Sequence, residues 1–160
     1  MGAGPVVVAD RSATALARAR ASGADATIDL SVTDPGQLTA RFTEAAGAGF
    51  DVIIDLVWGE IVNHAIDQAT MHARLIQVAN VSGPTAPLAA AIFRNKQMSI
   101  LGFSLFLTPL DVRRDAYARL LAKAAQGAFA IDIDTSHLDD IQPTWARLQA
   151  GQPDKLIVTP

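Results

Sequence analysis

The stretch FDVIIDLV at positions 50–57 gives the strongest indication of the fold. It is an almost continuous apolar run, which is typical of a strand buried on both faces of a parallel sheet. Gly59 follows it and predicts a turn into a helix. The residues of that helix expected to face inward are Ile61, Ala65, Ile66 and Ala69. This stretch therefore predicts a strand followed by a helix that packs against it.

The same pairing of an apolar strand with a helix recurs along the chain. Further strands are predicted at 6–9, 26–30, 74–79, 98–103, 129–133 and 156–158. Helices are predicted at 12–21, from 35 to Gly47, at 88–94, from 109 to Gly127 and from 141 to Gly151. Because strands that alternate with helices are joined by right-handed crossovers, the pattern predicts an α/β fold with a mostly parallel sheet.

Capping residues mark where most of these helices begin. Ser12 and Asp34 are expected N-caps, with Pro35 in the first helical position. Thr108 is an expected N-cap followed by Pro109, and Asp139 or Asp140 is expected to cap the last helix. These signals predict the helix boundaries independently of the apolar pattern.

Composition limits the classes of function that the chain can have. The 160 residues are 50% hydrophobic and 18% charged, with a net charge of −3, which suits one domain with a buried core. Its 13 lysines and arginines are dispersed, which argues against a nucleic-acid surface. No apolar run reaches the ~20 residues that span a bilayer, and no secretory signal is evident, so a cytoplasmic location is expected.

Thiol and metal chemistry are not expected of this sequence. It has no cysteine, which excludes a disulfide framework, a thiolate zinc site and a nucleophilic thiol. The three histidines, His64, His72 and His137, lack partners at metal-binding spacing and are interpreted as solvated surface residues. No metal is therefore predicted.

Several short segments, in this order and spacing, carry a family resemblance. They are VVAD at 7–10, GAD at 23–25, FDVIID at 50–55, Gly59, RLIQV at 74–78, ILGF at 100–103 and KLIV at 155–158. Together they resemble the cofactor-binding half of medium-chain dehydrogenases/reductases, a superfamily of zinc-dependent alcohol dehydrogenases and zinc-free quinone oxidoreductases. The resemblance covers essentially the whole chain. It implies a Rossmann-like three-layer sandwich that binds NAD or NADP.

The resemblance also implies that parts of the family's architecture are missing from residues 1–160. Members place a GroES-like catalytic domain, a first Rossmann strand and a Gly-x-Gly-x-x-Gly loop ahead of the strand that corresponds to 5–10. Residues 1–160 are therefore interpreted as a partial NAD(P)-binding domain, and catalytic residues stay unassigned. In the strand order 3-2-1-4-5-6 the first strand separates 5–10 from 50–57, so a gap in the sheet is predicted. We expect a fragment or mis-started reading frame, stabilised by sheet closure, strand exchange or a partner chain.

Asp10 is the first candidate for cofactor binding. It ends the strand at 6–9, and a carboxylate there accepts hydrogen bonds from the ribose hydroxyls and repels a 2′-phosphate. This favours NAD over NADP. Arg11 could instead hold a 2′-phosphate, which keeps NADP as the alternative. Both residues could also form nothing more than a solvated turn.

The remaining candidates follow the carboxyl ends of later strands, where open α/β sheets bind ligands. Leu56, Val57 and Trp58 resemble the family's wall beside adenine, with core packing as the alternative. The residues that resemble the family's backbone contacts to the nicotinamide carboxamide are Val78, Ala79, Asn80, Leu101 and Gly102. Asn80 has the better claim, because a polar side chain that ends a buried strand needs a partner.

Other residues receive structural interpretations. Asp51 and Asp55 are too far apart to share a proton, and Asp51 is interpreted as a turn residue at the strand entry. Trp145 falls in register with Ile141 and Leu148 and is interpreted as core. In the family, the strand that corresponds to 99–103 joins its equivalent in a second subunit. The apolar segment 99–107 therefore predicts a homodimer.

The sequence supports one leading function and two alternatives. The leading hypothesis is the nucleotide-cofactor-binding portion of an NAD(P)-dependent oxidoreductase whose small-molecule substrate is an alcohol, a carbonyl or a quinone. The chain alone is expected to be inactive. The alternatives are a non-catalytic dimerisation or nucleotide-sensing module, and a sheet that binds another mononucleotide.

Overall fold

The computed structural model describes residues 2–129, 131–151 and 155–160. The chain divides into two compact units, Met1–Thr108 and Pro109–Pro160. The first unit contains β1 (Val7–Asp10), α1 (Ala13–Ala21), β2 (Ala26–Asp29), α2 (Pro35–Ala46), β3 (Phe50–Asp55), α3 (Ile61–Asp67), β4 (Ala69–Gln77), α4 (Ala90–Lys96), β5 (Ser99–Gly102) and a 3₁₀ turn (Leu105–Leu107). The second contains α5 (Leu110–Ala125), β6 (Ile133–His137), a 3₁₀ turn (Leu138–Asp140), α6 (Ile141–Gln149) and β7 (Lys155–Thr159).

Every pair of strands described in the chain is parallel, as predicted. In the first unit, β1 pairs with β2, and β4 lies between β3 and β5 in a separate three-stranded sheet. The predicted gap is thereby confirmed, because β1 and β3 are not hydrogen-bonded to each other. Each of these two strands has one paired edge and one free edge within the described residues.

Helix boundaries in the first unit follow the predicted caps. The Ser12 hydroxyl accepts a hydrogen bond from the Ala15 N–H at 3.2 Å, and Asp34 accepts one from the Gln37 N–H at 2.7 Å. Gly49 then allows the chain to enter β3, because its φ is +111° and an added Cβ would lie 2.9 Å from the Gln68 carbonyl oxygen. Caps and glycines thus place each strand relative to its helix.

Two apolar clusters hold the first unit together. The first contains Ile28, Leu30, Leu38 and Phe42, and it joins β2 to α2. The second contains Val62, Ile66 and Leu75, and it joins α3 to β4. Leu75 has no exposed surface, as expected for the middle of the three-stranded sheet.

Two predictions about the middle of the first unit were wrong. Ala69 begins β4 and does not belong to the preceding helix, so β4 starts five residues earlier than predicted. The strand starts early because the Phe50 N–H donates to the Gln68 carbonyl and the Thr70 hydroxyl donates to Asp51 at 2.7 Å. For the same reason Asp51 lies within β3 and is not a turn residue. His72 adopts a φ of +62° where the register between β3 and β4 shifts.

The second unit also departs from the predictions. α5 begins after Pro109, and the Thr108 hydroxyl donates to the Ser104 carbonyl, so Thr108 does not cap the helix. The strand predicted at 129–133 lies at Ile133–His137, where it pairs with β7; Ala130 lies outside the described residues. Neither Asp139 nor Asp140 caps α6 through its side chain.

Trp145 is a further correction in the second unit. Its side chain is 57% exposed, and the buried residue of α6 is Thr144. An ion pair between Arg147 and Asp134 joins α6 to β6. Within the second unit, the apolar stripe of α6 is therefore not buried in a core.

Within the described ranges, no helix is both long enough and apolar enough to cross a bilayer.

Candidate functional site

Asp10 ends β1 with its carboxylate held by the turn that leads into α1. Its Oδ1 accepts a hydrogen bond from the Ser12 N–H at 2.7 Å. Ser12 in turn caps α1, so the turn is fixed from both sides. The second oxygen, Oδ2, makes no hydrogen bond within the described ranges and is available to a ligand. Asp10 is half-buried, so the structure holds a carboxylate oriented at the end of a strand, as the sequence predicted.

Asp29 occupies the equivalent place on the neighbouring strand, but its surroundings differ. It is the register partner of Asp10, and its Oδ1 accepts hydrogen bonds from the Ser31 hydroxyl at 2.6 Å and the Ser31 N–H at 2.8 Å. These hydrogen bonds, with a smaller contribution from Arg41, hold the pKa of Asp29 below its usual value. Asp29 does not line the cavity described below, so it serves as a matched control for Asp10.

Arg11 lies directly after Asp10 and is exposed. No hydrogen bond or ion pair involves its guanidinium within the part of the chain that the structure describes. The side chain is therefore available either to solvent or to an anion near Asp10. Both interpretations of Arg11 made from the sequence stay open.

Asp55 organises the turn that follows β3, a role that the sequence interpretation missed. Its Oδ1 accepts hydrogen bonds from the Val57 and Trp58 N–H groups, both at 3.0 Å. Trp58 and Gly59 follow with φ values of +60° and +70°. An Asp at the end of a strand, four residues before a glycine, is the signal that could have indicated this turn.

The second oxygen of Asp55 is unusual. The residue is only 7% exposed, and Oδ2 is buried with no hydrogen-bond partner among the described residues. Buried polar atoms are normally paired, so an unpaired oxygen in a cavity wall requires an explanation.

Replacing Asp55 tests the role of its carboxylate as a hydrogen-bond acceptor in the turn separately from its charge. We expect Asp55→Ala to lower the free energy of unfolding by about 1–3 kcal/mol, because two partly buried N–H groups lose their acceptor. Asp55→Asn keeps the acceptor and should cost less than half as much. Urea denaturation of both variants measures the difference. Equal losses in the two variants would contradict the assigned turn.

An apolar cavity of about 400 Å³ lies between β1 and β3 within the first unit. Its wall contains Asp10, Leu56 and Val57 together with residues of both strands. The structure thus brings together three of the predicted site residues. Val81 also lines the cavity, and no sequence signal pointed to it. Trp58, Val78, Ala79, Asn80, Leu101 and Gly102 do not line it.

Residues 78–80 follow β4, and the first two of them contact the end of β3 through their backbone. The N–H groups of Val78 and Ala79 both approach the Asp55 carbonyl, at 2.8 and 3.4 Å. Asn80 is exposed and lies three residues beyond the end of β4. The reason given for Asn80 was therefore wrong, because its side chain is not at the end of a buried strand. Its proposed contact with a cofactor stays a prediction.

The end of β5 is open and is followed by an exposed apolar segment. Leu101 and Gly102 are both exposed, and nothing in the described chain lies within 4 Å of a Cβ added at Gly102. The side chains of Phe106 and Leu107 are each 86% exposed. Such a concentration of exposed large apolar side chains is unusual for a surface that faces water.

The histidines differ from one another in their surroundings. His72 and His137 are exposed, as predicted. His64 is half-buried, lies 3.0 Å from the Thr39 hydroxyl and stacks on the Phe42 ring, so its interpretation as a solvated residue was wrong. Within the described ranges, no group of three or more neighbouring His, Cys, Asp or Glu side chains could hold a metal ion.

The fold and the position of Asp10 define the class of protein. Parallel strands joined by helices, with a carboxylate at the end of β1 beside an apolar cavity, are the features of a Rossmann-like α/β domain. The family model described as zinc-binding dehydrogenase matches residues 1–126. The chain belongs to the zinc-binding dehydrogenase family, within the medium-chain dehydrogenases/reductases.

Solved structures share this fold at low sequence identity. An alcohol dehydrogenase zinc-binding domain protein from Burkholderia ambifaria matches 98% of this chain with a TM-score of 0.80 and 20% identity. CurA from Vibrio vulnificus, solved in complex with NADPH, matches 97% with a TM-score of 0.78 and 18% identity. The rspB alcohol dehydrogenase from Escherichia coli CFT073, complexed with NADH, matches 97% with a TM-score of 0.71 and 22% identity.

The chain is much shorter than these proteins. It spans 42% of the Burkholderia protein, 49% of CurA and 44% of the rspB protein. No curated protein sequence matches the chain. The comparisons therefore show the family and the fold of the cofactor-binding region.

Proposed function

We propose that this chain is the nucleotide-cofactor-binding portion of an NAD(P)-dependent oxidoreductase. The observation that carries the proposal is the Asp10 carboxylate, which ends β1 with Oδ1 held by Ser12 and Oδ2 free beside an apolar cavity. A ribose requires such an acceptor, and an adenine ring requires an apolar wall. Leu56 and Val57 supply that wall in the same cavity. The residues present thus fit the adenosine half of a dinucleotide.

The preferred cofactor is NAD, with NADP as the alternative. A carboxylate at Asp10 accepts hydrogen bonds from both ribose hydroxyls, whereas a 2′-phosphate in the same place would be repelled. Arg11 next to it could offset part of that repulsion. The structures of relatives include one complex with NADH and one with NADPH, so both cofactors occur on this fold.

The rest of the proposed site extends toward the nicotinamide ring, which supplies hydride transfer when the cofactor is bound. Trp58, Val78, Ala79, Asn80, Leu101 and Gly102 are the proposed contacts on this side. Their role is to position the ring at the carboxyl ends of β4 and β5. No catalytic residue is assigned to the chain, and residues 1–160 alone are proposed to be inactive.

The complete enzyme is proposed to act on an alcohol, a carbonyl or a quinone, with a GroES-like domain that supplies its catalytic residues. A cytoplasmic location and a homodimer through 99–107 are further parts of the proposal. The exposed Phe106 and Leu107 support the dimer, because burial of such side chains is the usual driving force of association. The same exposure also supports the second candidate function, a non-catalytic dimerisation or nucleotide-sensing module.

Direct titration of the 160-residue chain with NADH and NADPH tests the proposal. Because only the adenosine half has an evident pocket, we expect NADH to bind with a dissociation constant on the order of 1 mM. The readout is the change in amide chemical shifts of Ser12 and Val57, which border the proposed pocket. Absence of saturable changes up to about ten times that concentration would contradict the proposal.

A further inference from the structure

We propose that a polar cavity beside β2 binds a small organic dianion, such as a phosphomonoester or a dicarboxylate. The cavity has a volume of about 820 Å³ and lies within the first unit. We call it the anion cavity. Its charged and polar lining residues come from the last turn of α1, from the start of β2 and from α2: Arg20, Asp25, Thr27, Arg41 and Glu44.

The anion cavity is separate from the proposed cofactor pocket. β1 and β2 run parallel, with Val7 opposite Ala26 at their amino ends. Asp10 lies at the other end of β1, roughly 10 Å from Val7 at the rise of a strand. Ala26 and Thr27 line the anion cavity, and the two cavities have no lining residue in common. A ligand in the anion cavity therefore leaves the cofactor pocket open.

The Arg20 side chain is oriented by a hydrogen bond to β2. Its Nε donates to the Thr27 hydroxyl at 2.8 Å. Neither terminal nitrogen of the guanidinium makes a hydrogen bond or an ion pair with the residues that the structure describes. Because a guanidinium carries its N–H donors in a fixed plane, the bond at Nε also sets the directions of the other donors. These donors are available to an anion in the cavity.

Arg41 contributes a second guanidinium to the same cavity from α2. Its one ion pair among the described residues is with Asp29, whose Oδ2 lies 3.9 Å from Nη1. This distance is too long for a hydrogen bond, so Asp29 balances part of the charge without using a guanidinium N–H. Two arginines at one cavity match an occupant with two negative charges, and each can bind a pair of oxygens in a bidentate contact.

The two acids of the cavity do not neutralise these arginines by direct contact. Asp25 Oδ2 accepts a hydrogen bond from the Val6 N–H at 2.6 Å, which holds the entry to β2. Glu44 makes no hydrogen bond or ion pair within the described ranges, and neither acid forms an ion pair with Arg20 or Arg41 there. Their charges act through solvent, where screening weakens them. Glu44 is therefore expected to reduce the affinity for an anion without abolishing it.

Charges beside an edge strand can also prevent its pairing with another chain. β2 is such a strand, since it pairs only with β1 within the described part of the chain. That protective role depends on charge alone and does not distinguish a dianion from a monoanion, or an arginine from a lysine. Oriented guanidinium donors do distinguish them, because a bidentate contact depends on geometry as well as charge. The number of charges on a bound anion therefore separates the two roles.

Titration of the 160-residue chain with methyl phosphate at about pH 7.5 and constant ionic strength tests the proposal, because a phosphomonoester carries close to two charges there. Binding is followed by NMR through the Nε–H signals of Arg20 and Arg41 and the Thr27 amide. We expect saturable shifts with a dissociation constant on the order of 1–10 mM. Methyl sulfate, which has the same shape and a single charge, should bind at least about fivefold more weakly. A parallel titration with succinate distinguishes a phosphomonoester from a dicarboxylate as the preferred ligand.

Substitutions at exposed positions assign the binding to the cavity. We expect Arg20→Gln and Arg41→Gln each to weaken methyl phosphate binding at least about fivefold, and Arg20→Lys to do the same because lysine lacks the planar fork. Glu44→Gln should tighten binding about twofold. Arg94→Gln is the control: it removes the same charge at an exposed position of α4 outside the cavity and should change the affinity less than about twofold.

Three results would overturn the proposal: no saturable shift with either dianion up to about 50 mM, equal binding of methyl sulfate, or an equal loss in Arg94→Gln and the cavity variants. General attraction does not favour an anion here, because the chain has a net charge of −3. The urea midpoint of each variant should match that of the unsubstituted chain, since the side chains are exposed, and one folded arginine variant suffices. None of these results depends on whether NADH binds, so the proposed function is judged separately.

Discussion

Replacing Leu75 by Ala is expected to lower the free energy of unfolding of the first unit by about 2–5 kcal/mol. Leu75 has no exposed surface and lies in β4 between two parallel strands. Its side chain contacts the α3 cluster of Val62 and Ile66, so truncation leaves a cavity that neither α3 nor the sheet can fill without moving. Burial of this one side chain connects the helix layer to the middle of the sheet.

Trp58 provides the measurement, because it packs against the same cluster. A Trp145→Phe background removes the fluorescence of the second unit, and urea denaturation then reports on the first unit. Leu101→Ala is the matched control: the same truncation on β5, at a side chain that is 47% exposed, should cost less than about 1 kcal/mol. Similar losses for Leu75 and Leu101 would show that β4 is not the packed centre of the sheet.

The fold was predictable where local chemistry and the apolar pattern agreed. Ser12 and Asp34 cap their helices as expected, and the parallel pairing of strands follows from the alternation of elements. Ala69 was assigned to the preceding helix because it continues the apolar stripe of α3, and the strand was therefore predicted to begin only at Arg74. The strand there depends on hydrogen bonds with residues about twenty positions earlier in the chain: Phe50 donates to the Gln68 carbonyl and Asp51 accepts from the Thr70 hydroxyl. A local pattern does not contain such contacts.

In the second unit, an apolar segment was predicted to be a strand, and a polar segment next to it forms the strand. The apolar residues Phe129 and Ile131 suggested a strand, whereas the strand that forms at 133–137 contains Asp134, Ser136 and His137. Pairing with β7 and the ion pair between Asp134 and Arg147 stabilise this polar strand. Both interactions join residues that are distant in sequence. The apolar pattern alone therefore placed the strand four residues too early, at 129–133 and not at 133–137.

The candidate site was predicted only in part for a related reason. Asp10 lies at the end of a strand and before a helix cap, which is a local pattern, and its orientation follows from Ser12. The cavity lies where β1 and β3 do not pair, and Asp55, with its unpaired oxygen, belongs to the wall of that cavity. The family's strand order predicted the gap. The side chains that line it became known only from the three-dimensional structure.

The second large effect is expected at Asp10. Asp10→Asn keeps an oxygen that can accept the Ser12 N–H but removes the charge that would bind the ribose hydroxyls. Hydrogen bonds to a charged group contribute about 1.5–3 kcal/mol, so NADH binding should weaken at least tenfold, which removes saturation at the concentrations where the unsubstituted chain saturates. NADPH should lose little or bind more tightly, because the repulsion of its 2′-phosphate is removed while Arg11 remains. The amide shifts of Ser12 and Val57 measure both affinities.

Asp29→Asn is the control that shows whether loss of a nearby negative charge alone changes the preference between NADH and NADPH. Asp29 is the register partner of Asp10 on the adjacent strand, and the substitution removes the same charge at a half-buried position outside the cavity. If Asp10 binds ribose, Asp29→Asn leaves the preference between NADH and NADPH nearly unchanged, since only a screened charge is lost. Equal losses of both cofactors in Asp10→Asn would exclude the ribose contact, because loss of a carboxylate that contacts the ribose must change the preference between a 2′-hydroxyl and a 2′-phosphate.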